Sequence, residues 1–390
     1  MWLLSVLLLL VLGSSVAAEP GEARLARELF RILGQKQGNL FFSPASIRLA
    51  VAMSYAGARG ATATELAGVL GDDPKTIHKR AGAQLRRWAT LTHTTDPASK
   101  RVQLTVANRM WIQADRSLDA DFETLLKGTY RAGAVQVDFV KQPEPARTQI
   151  NEWVGQETKG RIPSLLPAGS ISNATRVVLV DTIYFKAAWR YPFDKASTTE
   201  RTFHAPGRDL QTPTMYQGNE QFAVARIKGG QILELPYGAG DLAMDIVLPT
   251  ARDGLPNLEH ALAEGALPGW LSALSYTKVY VHLPRWKSRT SVELRDTLRA
   301  LGAKSAFDAT GADFSGIDGT HPLVLSRVDH EAEVDVTEQG TEATAATAAD
   351  GELAFEESKP VVFQADHPFV YLIRDTKTGA ILFLGRLTDP

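Results

Sequence analysis

The 390-residue chain contains no cysteine, which excludes disulfides, thiolate-ligated zinc, iron–sulfur clusters and cysteine nucleophiles together. It also lacks an excess of either charge: 42 Lys and Arg stand against 44 Asp and Glu, a formal charge of −2. Bulk electrostatics therefore points to neither nucleic acid nor an anionic membrane as partner. No Walker loop, dinucleotide fingerprint, internal repeat or Pro/Gly/Ser-rich linker interrupts the sequence. Ser275-Tyr-Thr-Lys278 has the Ser-x-x-Lys spacing but leads into an alternating strand, not along one helix face. His330-Glu331 has Val334 where a zincin helix needs its second histidine.

What is present is a large apolar inventory, 44% of residues, enough for a core that needs no covalent ties. At roughly 150 residues per domain the length permits two or three domains, but without a linker we expect one, over residues 19–390. Before it, an apolar run at 2–12 followed by Val16-Ala17-Ala18 fits a signal peptide at 1–18. The run is shorter than the roughly 20 residues of a membrane-spanning helix, although no Lys or Arg precedes it. The expected location is secreted or extracellular, or periplasmic in a bacterium.

The pattern is α+β, with helices gathered early and strands late. Helices are expected at 24–33, at 47–55 behind Ser43 and Pro44, at 61–70 opened by Thr62 or Thr64, and at 74–91. The last carries Lys75, Lys79, Arg80, Arg86 and Arg87. Strands are expected at 177–185, 231–235, 243–248, 278–283, 332–336, 361–363, 369–374 and 381–387.

One segment breaks this pattern. Residues 337–358 hold almost no large apolar side chain and no Lys or Arg, yet lie between two strand signals; such a long connection is normally functional or disordered. Thr341, Ala343, Ala345, Thr347 and Ala349 share one parity and are small and uncharged, whereas Glu342 and Asp350 fall on the other. An extended chain points alternate side chains to opposite faces. The loop could thus enter a sheet with its small face inward.

Four motifs make the chain resemble the serpin family over almost its whole mature length. These are Asn39-Leu-Phe-Phe-Ser-Pro-Ala-Ser-Ile47, Val180-Asp-Thr-Ile-Tyr-Phe-Lys-Ala-Ala-Trp189, Glu338-Gln-Gly-Thr-Glu-Ala-Thr-Ala-Ala346, and Phe363-Gln-Ala-Asp-His-Pro-Phe369 with Phe383-Leu-Gly-Arg386. The resemblance implies one domain with three β-sheets, a large central one among them, eight to nine helices and an exposed reactive-centre loop at about 338–358. It implies a protease inhibitor, not an enzyme, monomeric and without cofactor or metal. A serine protease cleaves the loop, which then inserts into the central sheet and traps the acyl-enzyme. The alternative within the family is a non-inhibitory carrier, chaperone or storage protein.

The same resemblance assigns residues. The hinge is Glu338, Gly340, Thr341, Glu342, Ala343, Thr344, Ala345 and Ala346, with Thr341 the first side chain to enter. Counting from Glu338 puts the scissile bond between Ala354 and Phe355, while counting back from the C-terminal motif lands near Glu357, so the bond lies within 353–357. Ala354 suits an elastase-type pocket, Leu353 or Phe355 a chymotrypsin- or subtilisin-type pocket, and Glu352, Glu356 or Glu357 a glutamyl endopeptidase; the first is favoured, and a trypsin-like target is not expected. Ser43, Ser46, Asp181 and His330 form the cluster where the sheet parts, with Asp181 standing where most relatives have Asn, so insertion is expected to be pH-sensitive near pH 6–8. Insertion starts at Trp189, Arg285 and Glu338. The basic helix with Lys75, Lys79, Arg80, Arg86 and Arg87 resembles in position a polyanion-binding helix.

Overall fold

The computed structural model describes residues 21–92, 102–320, 323–341 and 359–390. The expected signal peptide, the scissile residues Ala354 and Phe355, and hinge residues Glu342, Ala343, Thr344, Ala345 and Ala346 lie outside the described residues.

Among the described residues are ten α-helices: α1 (Gly21–Leu33), α2 (Pro44–Gly57), α3 (Gly60–Leu70), α4 (Ile77–Thr92), α5 (Ala120–Leu125), α6 (Pro143–Glu157), α7 (Leu255–Ala263), α8 (Leu267–Ser272), α9 (Arg295–Ala300) and α10 (Ser315–Asp318). The strands are β1 (Leu40–Phe42), β2 (Val102–Gln113), β3 (Ala134–Val137), β4 (Val177–Ala188), β5 (Thr199–Ala205), β6 (Arg208–Gln217), β7 (Gln221–Ile227), β8 (Gly230–Tyr237), β9 (Leu242–Pro249), β10 (Ser275–Pro284), β11 (Trp286–Glu293), β12 (Leu325–Thr337), β13 (Gly340–Thr341), β14 (Val361–Gln364), β15 (Phe369–Asp375) and β16 (Ile381–Leu387). Helix count slightly exceeds the expected eight to nine because short turns such as the four-residue α10 are included.

Six strands form one sheet in the order β11-β12-β13-β4-β2-β3. The other ten run β1-β16-β15-β9-β8-β7-β10-β6-β5, with β14 also on β10. Strand β10 passes between two ladders: Ser275–Lys278 pairs with β7, whereas Val281–Pro284 pairs with β6 and Val279–His282 with β14. The ten strands thus make two sheets sharing β10, giving the three sheets the resemblance implied.

Strand β4 shows how the six-stranded sheet is packed. Its sequence is almost continuously apolar because both faces are covered. Leu179, Ile183 and Phe185 join the main core, while Val178 and Val180 pack in a second cluster with Ile150, Trp153 and Val154 of α6.

Local expectations needed three corrections. Helix α3 is not opened by Thr62 or Thr64: it starts at Gly60 behind Arg59, which makes no side-chain cap. Thr62 instead turns inward, and its hydroxyl accepts the Asp313 N–H at 3.0 Å. The basic helix begins at Ile77, residues 74–76 forming a turn. Helices do not all precede strands, since β2 and β3 are early and α7 to α10 late. No helix among the described residues is long and apolar enough to cross a membrane.

Candidate functional site in the six-stranded sheet

Strands β4 and β12 run parallel and in direct contact from Leu325↔Val177 to Glu333↔Tyr184. At their C-terminal ends they part. There the chain reverses over residues 337–340 and Gly340–Thr341 enters the gap as β13, pairing Thr341 with Val336 on one side and with Ala187 on the other. The wedge is two residues deep.

Glycine is required at its tip. Gly340 has φ +135°, and a Cβ there would lie 2.1 Å from the Ala187 carbonyl oxygen, a conformation and an approach that only glycine permits. Thr341 is fully buried, its hydroxyl 2.8 Å from that of Tyr237. Burial raises the Tyr237 hydroxyl above its ordinary pKa, so it remains a protonated partner. Tyr237 stacks on Trp189 with ring centroids 4.4 Å apart, and the Trp189 indole N–H donates to the Thr337 carbonyl at 3.0 Å.

Behind the wedge, Glu338 is locked in place. Its carbonyl accepts the Phe193 N–H at 2.9 Å. One carboxylate oxygen accepts from Thr198 at 2.6 Å and from Arg285 Nε at 2.8 Å, with Arg285 Nη2 as a further donor. The Glu338 side chain is 2% exposed and that of Arg285 41%, so this is not a pair of two solvated surface charges. Burial opposes the Glu338 charge, yet the hydrogen bonds from Arg285 and Thr198 outweigh it and hold the carboxyl below its ordinary range.

Halfway along the sheet the structure brings Ser43, Ser46, Asp181 and His330 together, all fully buried. Asp181 and His330 face each other across the β4–β12 seam, and His330 Nδ1 lies 2.7 Å from Asp181 Oδ2. The backbone N–H of Ser43 points at His330 Nε2 from 3.1 Å. That nitrogen is therefore the acceptor, and the ring donates its Nδ1 proton to Asp181. Ser43 caps α2, its hydroxyl accepting the Ser46 N–H at 3.0 Å and donating to the Leu382 carbonyl at 2.5 Å. The Ser46 hydroxyl donates to Asp181 Oδ1. Asn108, opposite Asp181 on β2, also donates to Oδ1, at 2.5 Å, with its amide nitrogen turned inward.

Sequence reasoning missed Tyr237, Thr198 and Asn108. Only Asn108 carried a signal, as a polar residue sharing parity with Met110 and Ile112 in an otherwise apolar row; the other two come from distant strands and loops.

The basic helix divides. Arg80 pairs with Asp72 at 2.7 Å, and Arg87 with Asp375 at 2.6 Å and Asp241 at 3.3 Å. Those two arginines tie α4 to the rest of the molecule. Lys75, Lys79 and Arg86 are exposed.

The sheet is thus closed along the β4–β12 seam, with a two-residue wedge at one end and a buried polar cluster below it. Comparison with known proteins shows which family the chain belongs to. The family pattern described as Serpin (serine protease inhibitor) matches residues 20–390. The leukocyte elastase inhibitor of Equus caballus is 37% identical over 379 residues, covering 94% of this chain and 97% of its own length. Human serpin B3 is 36% identical, covering 91% and 94% respectively. Among solved structures, Serpin48 of the insect Tenebrio molitor superposes with a TM-score of 0.84 at 30% identity, over 95% of this chain and 97% of its own. The chain belongs to the serpin family of serine protease inhibitors.

Proposed function

We propose that this chain traps a serine endopeptidase as a suicide substrate, and that β13 is the start of the strand its loop becomes after cleavage. The observation that carries this reading is the paired, fully buried Thr341 at the mouth of an otherwise closed β4–β12 seam. Continuing β13 in register extends the argument. Thr341 faces the core opposite Ala187 and Val336, so Ala343, Ala345, Thr347 and Ala349 would follow it inward, and Glu342 and Asp350 would point out. The same two registers carried to residue 347 place Thr347 opposite Asp181 on β4 and His330 on β12. Insertion there must break the Asp181–His330 hydrogen bond, and it delivers a hydroxyl that can serve both partners.

The energetics allow work on the protease. About a dozen new backbone hydrogen bonds at roughly 0.5–1.5 kcal/mol each total on the order of 10 kcal/mol, comparable with the stability of a whole domain. In this scheme the Glu338–Arg285 contact holds the loop at its entry point, and the Asp181 cluster keeps the seam shut until entry.

The target we favour is elastase-like, cleaving after Ala354. Incubation with elastase, chymotrypsin, subtilisin, a glutamyl endopeptidase and trypsin should give an SDS-stable complex with elastase and none with trypsin, mass analysis placing the cut within 353–357. Simple turnover of the chain by every one of these proteases would overturn the inhibitory mechanism. We also propose that residues 1–18 are a cleaved signal peptide: N-terminal sequencing of protein recovered outside expressing cells should begin at Glu19. Retention inside the cell with Met1 in place would refute export.

A further inference from the structure

The chain that leaves the wedge at Thr341 rejoins the described structure ahead of β14. This strand has little to hold it. It pairs with β10 over its four residues, Val361–Gln364, and has no strand on its other edge among the described residues. What fixes it is the turn that follows, Ala365-Asp366-His367, part of the C-terminal motif read in the sequence. The Ala365 N–H donates to the His282 carbonyl of β10 at 2.9 Å, and the Asp366 carbonyl accepts the His204 N–H of β5 at 2.7 Å.

His367 closes this turn from the inside and is buried. Its Nδ1 lies 2.6 Å from Asp366 Oδ1, and its Nε2 lies 2.8 Å from the carbonyl of Pro249 at the end of β9. A carbonyl oxygen can only accept a hydrogen bond, and so can an ionised carboxylate. Burial opposes the Asp366 charge, but the hydrogen bond and charge of His367 and the hydrogen bond from Gln364 outweigh it and hold the carboxyl below its ordinary range. Both ring nitrogens of His367 therefore face acceptors, and two hydrogen bonds need two protons. His330 is the opposite case: the Ser43 N–H points at its Nε2, so one proton suffices and the ring is neutral. The other charged or titratable groups around the pair are Arg201 and His204 of β5, Asp209 of β6, which lies 2.7 Å from His204, and His282 of β10; β9 contributes the Pro249 carbonyl.

We propose that His367 is a positioning residue, a buried imidazolium whose two N–H groups pin the turn behind β14 and make the anchorage of that strand sensitive to alkaline pH. The contact is complete while the ring carries both protons. When rising pH removes one, a bare nitrogen faces an oxygen lone pair, and the turn must shift to relieve it. The consequence for inhibition rests on the reading above: a loop offered to a protease needs a fixed end on either side, and His367 serves after it as Glu338 serves before it.

Long-range proton–nitrogen correlation spectra of the isotope-labelled protein report whether each histidine ring nitrogen carries hydrogen. At neutral pH His367, assigned by the signals that His367→Gln loses, should show two protonated nitrogens, and His330 one protonated and one bare. A bare nitrogen on His367 at neutral pH would overturn the proposal. The second measurement is hydrogen exchange of the β14 amides relative to the β15 amides, from about pH 6 to about pH 10. In the wild type this ratio should stay level through neutral pH and rise by about tenfold on the alkaline side. His367→Lys, which keeps a cation with donors for both oxygens, should stay level throughout; His367→Gln should start about tenfold high and stay there. A wild-type ratio that stays level to the alkaline limit, or a pH rise that persists unchanged in His367→Gln, would overturn the pH-sensitive anchorage. Thermal melts identify a variant that fails to fold, and the wild-type spectrum and profile then decide. Both measurements use uncleaved protein without a protease, so their failure leaves the inhibitory reading untouched, and a chain that traps no protease could still pass both.

Discussion

The two ends of one seam are held by opposite means. At the wedge, β4 and β12 are already apart and the gap is filled by a glycine and a threonine; the clamp behind it is a carboxylate that is buried itself but paired with a 41% exposed arginine. Halfway down, the strands touch, and Asp181, His330, Ser43 and Ser46 are closed off from solvent. At the clamp one partner is a side chain that solvent can reach and Thr198 remains as a second donor, whereas a fully buried polar network must be replaced partner for partner. The top of the seam is therefore held by a contact that solvent reaches and the middle by one that it does not, the arrangement that the proposed loop insertion would need.

The largest effect should come from the middle. His330→Ala removes a donor from the buried Asp181 carboxylate and the acceptor of the Ser43 N–H. Leaving these two buried groups each one hydrogen bond short costs about 1–3 kcal/mol apiece, read as a lower denaturation midpoint and faster polymerisation on warming. Arg285→Ala, at the top, should move the midpoint far less. Equal shifts in the two variants would erase the contrast between clasp and entry point.

Next in size is Thr341→Arg. The side chain sits where Ala187, Val336 and Tyr237 enclose it, and a guanidinium there is a buried charge without a partner. The native chain can withdraw the wedge, but an inserting loop cannot avoid the position. The yield of SDS-stable complex should fall by about a hundredfold while cleavage continues. A variant that still forms complex at the wild-type rate would show that entry does not pass through this slot.

Thr347→Val joins the two regions. If the register of β13 continues, the hydroxyl is needed only after insertion, between Asp181 and His330. The uncleaved protein should melt unchanged. The loop-cleaved protein should lose about 1–3 kcal/mol, the penalty for leaving buried polar groups unpaired. Equal stability of cleaved wild type and variant would place the inserted strand in another register.

Much of this was legible in the sequence where the physics is local. Ser43 with Pro44 announced the start of α2, and the apolar run at 177–185 announced β4. The candidate site was less legible because its contacts are long-range. Tyr237 meets Thr341 across more than a hundred residues, and no periodicity within β8 marks it. Strand β2, with Arg109 and Asn108 among its apolar residues, blurs the alternation that identifies a strand, because one face serves α6 and the other the polar row. Thr62 failed as a helix cap because tertiary contact with Asp313 took its hydroxyl.

The smallest effect, and the one specific to the upper clamp, is acid release. Glu338 is held below the ordinary value of 4.5 in the folded protein, because the hydrogen bonds from Arg285 and Thr198 outweigh desolvation. A carboxyl whose folded pKa is depressed contributes stability that is complete above its unfolded pKa and is lost as pH falls through the folded one. Exchange of the Thr341 amide should therefore be slow above about pH 4.5 and accelerate below it, relative to amides around Asp181 in the same sample. Glu338→Gln keeps the shape but removes the charge. It should cost about 1 kcal/mol at neutral pH and raise Thr341 exchange there by about fivefold, with little further acid-side rise. If the variant reproduces the wild-type acid profile, another group titrates at the wedge, and the Glu338–Arg285 pair is not what holds the loop at its entry.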